Sequence, residues 1–332
     1  GPRTEAVVSP VRYYRGRPDY TDLVFNFVNR VAERVFDQAG AWQTPQGRDR
    51  FLTALAYYWA EPAPTISIHP RVMPVLTSDR SQWHDPIYRK EDKALINAWA
   101  LSGAERIATW DYYFGAPYLY PRQFNEWIAQ SLPFLAEAGV DVFFSQLPSF
   151  WGLDGAKAWL AAELLWDSKQ DAAALLDEYY YNFFGAASES IRSFYETAEA
   201  HRNLYEGTAE WIKLYKDESG IALFTPEVIA TMRAYIKEAK LLVRGDVRRL
   251  ARVEVVSRAF RLSELYSYYE ISRRELVDLC INSEHPKRIA SQLEMFRSTR
   301  SEYEAYTEQY LEEDYAPLSR HIKRVQSDPE AF

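Results

Sequence analysis

Between Thr21 and Phe36 apolar residues recur at helical spacing: Leu23, Phe27, Val31 and Val35 fall on one face, and Asp22 sits where the helix dipole favours an acid. A Gly/Gln/Pro-containing turn follows, and the period then shortens. Phe51 to Trp59 reads as a β-strand ending in aromatics, and Ile66 to Leu76 as a short one, interrupted by Pro70 and Pro74. The pattern next predicts a helix over Glu91 to Leu101, a strand over Arg106 to Thr109, a helix over Pro121 to Ala138, a strand over Val140 to Ser145 and a helix over Gly155 to Leu165. Strands alternating with helices of this length predict βαβ units and a parallel sheet.

After Trp166-Asp167 only helical patterns remain: Asp171 to Phe184, Ala187 to Tyr215, Pro226 to Val243, Asp246 to Asn282 and Lys287 to Tyr315. Thr225-Pro226-Glu227 supplies a capping hydroxyl and a proline at the first helical position. Gly185, Gly220, Gly245 and His285-Pro286 supply the stops. The expected organisation is α/β over residues 1–165 and all-α over residues 166–332.

Composition adds one unusual feature. Trp, Tyr and Phe make up 15% of the 332 residues, and Tyr and Trp together outnumber Phe by two to one, so a groove lined by polar-tipped rings is expected beside the aromatic core. The net charge of −8 argues against nucleic acid, whose recognition rests on clustered cations. The basic stretch Lys240 to Arg261 alternates with Asp246 and Glu254 and reads as a solvated helix face. Cys280 excludes an internal disulfide and, between Leu279 and Ile281, is expected to be buried. No apolar run is long enough to span a membrane. Gly1-Pro2 reads as the remnant of a cleaved purification tag, which leaves the compartment open; an extracytoplasmic or secreted location is one reading.

The candidate chemistry gathers where the strands end. Trp110-Asp111-Tyr112-Tyr113 closes one strand, Tyr57-Tyr58-Trp59 with Glu61 another, and Phe143-Phe144 leads to Gln146 and Trp151. Aromatic and polar residues at the C-terminal ends of parallel strands are how a (β/α) barrel builds a site, and flat rings with a few carboxylates or amides hold sugars. Asp111 is the candidate catalytic carboxyl; the bland alternative is an aspartate that fixes a loop before Pro117. Glu61 either reaches the same mouth or occupies an exposed turn before Pro62. His69, Arg71, His84 and Asp85 surround another strand; a His/Asp pair can carry a proton, and loop histidines are also ordinary packing residues. Gln146 can bind a hydroxyl but cannot act as acid or base. Glu91-Asp92 and Asp177-Glu178 fall in helices and are expected to be solvated. Neither a metal-ligand cluster, a phosphate-cradling glycine loop nor a nucleophile elbow is present, so no metal or cofactor is expected.

Trp110-Asp111-Tyr112-Tyr113-Phe114-Gly115, Leu164-Leu165-Trp166-Asp167 and Tyr181-Asn182-Phe183-Phe184-Gly185 resemble a bacterial domain-of-unknown-function family, number 4838. Its members resemble barrel glycoside hydrolases of the α-glucuronidase and β-hexosaminidase type, with an endo-β-N-acetylglucosaminidase branch. The resemblance runs from about Asp19 to about Ala200. It implies that the chain carries strands five to eight of a TIM-type barrel followed by a helical domain, with the main acid upstream.

The expected function is therefore a glycoside hydrolase-like protein acting on a glycan, with an N-acetylhexosamine or uronic-acid unit as one option. Glycoside hydrolysis needs two carboxyl groups or a substrate that supplies its own nucleophile. Tyr58, Trp59, Glu61, His69, Trp110, Tyr112, Tyr113, Gln146 and Trp151 are the expected contacts to the carbohydrate. Two alternatives stay open: a carbohydrate-binding or scaffold protein without catalysis, and an interaction module in which two copies form a homodimer and close each other's open sheet edges.

Overall fold

The computed structural model describes residues 12–113, 119–146, 151–204 and 218–313. The chain divides into two compact units, Gly1–Tyr113 with Trp127–Gln146, and Phe114–Glu126 with Leu147–Phe332. The first is α/β and the second helical.

The first unit opens with an antiparallel hairpin of β1 (Arg12–Tyr14) and β2 (Arg17–Asp19). Arg15 and Gly16 make its two-residue turn, both at positive φ (48° and 71°), the geometry that matches the twist of hairpin strands. The helix Thr21–Ala32 follows and runs on as a π-helical turn, Glu33–Gln38. Four strands then form one parallel sheet in the order β3 (Leu52–Ala56), β4 (Val72–Thr77), β5 (Ile107–Asp111) and β6 (Val140–Ser145). The helices Pro86–Ala100 and Asn125–Glu137 lie between β4 and β5 and between β5 and β6 in the chain. Between β3 and β4 the described chain has only a 3-10 turn, Tyr58–Ala60.

Contrary to the sequence reading, β4 passes straight through Pro74. The ladder to β5 begins only at Val75, so Pro74 sits where β4 is paired on one side, with Ala54 of β3, and its missing N–H breaks no β5 bond.

The register separates the two faces of the sheet. Ala56, Leu76 and Thr109 form one row across the strands, all essentially sealed from solvent. The neighbouring row on the opposite face is Leu55, Val75, Ala108 and Val142, and Leu55 is 50% exposed. One step towards the C-terminal end, the same face carries Thr77, Trp110 and Phe144, with Phe144 48% exposed. Parallel sheets are ordinarily covered on both faces, so this partly bare apolar face is an exception.

The second unit is built from the helices Lys157–Trp166, Ala172–Phe184, Ser188–Asn203, Pro226–Leu242, Val247–Ile281 and Pro286–Glu313, with short turns of helix at Trp151–Asp154 and Glu218–Ala222. The expected helix from Ala187 extends only to Asn203 among the described residues; 205–217 lie outside them. Its core is a continuous cluster that includes Phe184, Ile191, Phe194, Tyr195, Met232 and Phe260. Gly152 allows a close approach of backbones: a Cβ there would meet the Ala259 side chain and lie 2.6 Å from the Val255 carbonyl oxygen.

The second unit takes in Leu147–Phe332. Helix Lys157–Trp166 belongs to the second unit, because Leu160 and Leu164 are buried and the Trp159 indole donates to the Leu175 carbonyl of the next helix (3.3 Å). Cys280 is exposed rather than buried, since it lies in the last turn of its helix, outside the stretch Val253–Ser272 that carries the buried positions. The basic stretch is laced with acids as its alternation suggested: Lys240 pairs with Glu254 at 2.8 Å, Arg249 with Asp246 at 2.8 Å, and Arg261 with Glu264 and Glu302. Among the described residues no helix is long and apolar enough to cross a membrane.

Candidate functional site

Residues that leave the C-terminal ends of β3 to β6 make the candidate site of the first unit. Tyr57 leaves β3 in extended conformation, and Tyr58 then turns to φ 54°, an uncommon conformation for a bulky side chain. The turn sets the Tyr58 and Trp59 rings edge to face, centroids 4.9 Å apart, and leaves them 40% and 54% exposed. The Arg17 guanidinium lies 4.6 Å above the Tyr58 ring. The Tyr20 N–H donates to the Trp59 carbonyl at 2.7 Å and fixes the turn to the hairpin side.

Glu61 is not an exposed turn residue. It is 2% exposed and receives Arg15 Nη1 at 2.6 Å on one oxygen and Arg17 Nη2 at 2.9 Å on the other. Burial pushes its pKa up, and the two arginines oppose that. The Trp99 indole donates to the Glu61 carbonyl at 2.9 Å. The Arg15 guanidinium also reaches Glu91 (3.2 Å) and stacks 4.5 Å from the Tyr88 ring.

Beyond β4, Asp79 caps the 3-10 turn Arg80–His84, accepting from the Ser81 N–H (3.2 Å) and hydroxyl (2.6 Å). Arg80 is sealed in, with Nη1 on the Thr109 hydroxyl (2.8 Å) and on Asp111 Oδ2 (3.1 Å), and Nε 3.4 Å from Asp92 Oδ2. Asp92 further accepts from the Ser78 hydroxyl at 2.7 Å and the Trp83 indole at 2.9 Å. The expectation of a solvated Glu91-Asp92 pair thus holds only for Glu91. Asp92 occupies a core position of the buried stripe Tyr88, Asp92, Leu95, Ile96 and Trp99.

Asp111 differs from its expected role in the same way. It is fully buried and accepts from the Arg80 N–H (3.2 Å), the Arg80 guanidinium and the Tyr112 N–H (2.7 Å). Successive strand residues point to opposite faces, so Asp111 lies on the sealed face and Trp110 on the partly open one. Burial first, and then the nearby Asp79, raise the Asp111 pKa to about 6, while Arg80 acts against them. This carboxyl braces the β4 exit, and it has no surface with which to touch a substrate here.

Tyr112 is buried and hydrogen-bonded to Tyr57, which joins the β3 and β5 exits; burial raises the pKa of both phenols. Tyr113 is buried too, its N–H donating to the Ser145 hydroxyl at 3.1 Å and its ring 5.6 Å from Phe143. The Gln146 N–H donates to the Asp111 carbonyl at 3.2 Å, and its residue is half-buried at the end of β6. Trp110 and Phe144 touch across the open face, centroids 4.2 Å apart.

One expected contact lies at the other end of the sheet, and one belongs to the second unit. His69 precedes β4 and therefore lies at the opposite end of the sheet, packed on Phe36 (5.8 Å) and 3.4 Å from Asp37. Trp151 opens a short helix of the second unit. Phe114 and Gly115, from the motif that begins at Trp110, lie outside the described residues. Arg80, Asp79 and Asp92 were missed by the sequence reading. The usable signal was an acid at a core position of a helical repeat and an arginine directly after an apolar strand, two charges that must meet if both are buried.

The family model described as Domain of unknown function (DUF4838) matches residues 8–196, and the chain belongs to that family. No curated protein and no solved structure matches the chain.

Proposed function

We propose that this member of the DUF4838 family is a glycoside hydrolase-like protein that holds a glycan at the C-terminal end of its parallel sheet. The observation that carries the reading is the Tyr58-Trp59 ledge: two half-exposed rings, fixed by an uncommon backbone turn and flanked by Arg17. Exposed aromatic faces held rigid at a strand exit suit the C–H faces of a sugar ring, and Arg17 and Gln146 offer donors to its hydroxyls or to a carboxylate. In this reading the four strands are one side of a (β/α) barrel, and Trp110 and Phe144 face its interior. Tyr112 supports the ledge through Tyr57, and Tyr113 is tied to the β6 exit through Ser145. Asp111 acts as a positioning residue through Arg80.

A second reading, binding without turnover, is favoured by a specific observation. Asp111, the candidate catalytic carboxyl, and Glu61, an expected contact to the carbohydrate, are both buried against arginines. The half-exposed Leu55 on β3 also supports self-association, which sedimentation across a concentration series reads directly.

Calorimetric titration with oligosaccharides bearing N-acetylhexosamine or uronic acid tests the shared core of both readings. Trp59→Ala is expected to weaken binding about tenfold, corresponding to ~1.4 kcal/mol. Release of an aryl leaving group from the matching glycoside selects the hydrolase; binding with no release selects the second reading. Absence of any saccharide binding at millimolar concentration would overturn both.

A further inference from the structure

The helical unit contains a pocket of about 430 Å³ that the reading above does not use. Trp151, Trp159, Tyr179, Phe183 and Phe184 supply its aromatic wall, with Val255 and Val256 opposite and Arg252 the single charged residue of the lining. Its size is that of a small-molecule site, and its composition is far more apolar than a sugar site tolerates, because each buried hydroxyl without a partner costs free energy.

The wall is preorganised. Tyr179 and Phe183, one helical turn apart, stack within 8° of parallel at 5.4 Å. The Trp159 indole N–H is engaged by the Leu175 carbonyl, so the polar edge of that ring is spent on backbone. Arg252 lies 4.2 Å over the Phe183 ring, and its Nη1 donates to the carbonyls of Phe183 (2.7 Å) and Asn182 (3.4 Å) at the end of helix Ala172–Phe184. Those acceptors carry no formal charge, so Arg252 keeps its net positive charge, offset only in part by the negative end of the helix dipole.

We propose that this pocket binds a small amphiphilic anion, an aliphatic or planar apolar body carrying one carboxylate. The body lies against Trp159, Tyr179 and Phe183, and the carboxylate meets Arg252 at the rim. The match rests on shape and charge: a concave apolar wall of fixed rings with one cation at its edge is complementary to a molecule with one anionic end.

The test uses the intact protein with octanoate and octanol as probes, each displacing the fluorophore 1-anilinonaphthalene-8-sulfonate. Octanoate is expected to bind about tenfold more tightly than octanol, the margin of a charge-assisted hydrogen bond. Arg252→Met should equalise the two. Val255→Trp, which fills the pocket from its exposed rim, should abolish both while circular dichroism shows the helices intact. Equal binding of the two probes by the unmodified protein, undiminished binding by Val255→Trp, or displacement of the fluorophore by glucuronate as readily as by octanoate would overturn the proposal. Octanoate and octanol carry no sugar ring, so their outcome is independent of the glycan experiment.

Discussion

At the exits of β4 and β5 the best-sealed side chains include Arg80, Asp92 and Asp111, and each is held by the others or by Ser78, Trp83 and Thr109. In the second unit the centre is Phe194, Tyr195, Ile191, Met232 and Phe260, joined by ring contacts such as Phe194 to Phe260 at 5.0 Å. Among its described residues the helical unit also buries a close pair, Lys157 with Asp154 at 2.7 Å, but its centre is apolar. The difference is one of tolerance. An apolar core accepts many sequences of similar volume, whereas a buried ionic network demands particular partners at particular atoms. The sheet unit therefore concentrates its specificity where its strands end, which is also where the candidate site lies.

The sharpest way to break this comparison is to remove the hub. Arg80→Met leaves Asp92 and Asp111 buried without their cation, and is expected to cost about 3–5 kcal/mol, read by denaturant unfolding. A loss under 1 kcal/mol, within the range of a surface ion pair, would mean that the network is not a structural keystone. Next in size is Gly152→Ala, where the added methyl group collides with Ala259 and the Val255 carbonyl; overpacking of this kind costs about 1–3 kcal/mol and should appear as a lower midpoint in the helical unfolding signal. Asp171→Ala removes the cap that accepts from the Ala173 N–H (2.9 Å) and the Ala174 N–H (3.4 Å), with an expected cost of about 1 kcal/mol. The same denaturation series measures it.

A pH experiment tests whether the helical unit is as indifferent to charge as its core implies. Glu199 accepts the Glu126 N–H at 2.8 Å, and burial raises its pKa from 4.5 to about 7, against Arg202 and that hydrogen bond. The folded value is above the unfolded one, so the stabilising contribution is present below pH 4.5 and lost as pH rises through about 7. Glu199→Gln should remove that slope and leave the mutant more stable relative to the parent at pH 8 than at pH 4. An unchanged slope would reassign the titration to another group.

Much of the architecture was legible because it follows from periodicity. The strand Val140–Ser145 matches its expected span, and the helices Pro226–Leu242 and Val247–Ile281 fall within a residue of theirs, because apolar spacing, proline starts and glycine stops are local signals. The parallel sheet was implied by strand–helix alternation, and its strands run in chain order, β3-β4-β5-β6. The ends of strands were harder. Asp111 was read as a site carboxyl because it stands among aromatics, yet strand alternation turns it towards Arg80, a partner 31 residues away that no local pattern announces. Glu61 was missed as a buried ion for the same reason, since its arginines lie on a hairpin more than forty residues upstream. His69 was assigned to the mouth by proximity to a strand, but which end of the strand it precedes decides its place.

The exposed thiol of Cys280 has a practical consequence. It is the sole cysteine of the chain, and it sits one residue before the end of the 35-residue helix Val247–Ile281, which also carries Arg252, Val255 and Val256 of the apolar pocket. A maleimide dye or spin label therefore attaches at one known place per molecule without any engineered substitution, on the same rigid rod as the pocket wall. Distance measurements from that label can follow the helix while ligands are added, using the native sequence as its own reporter.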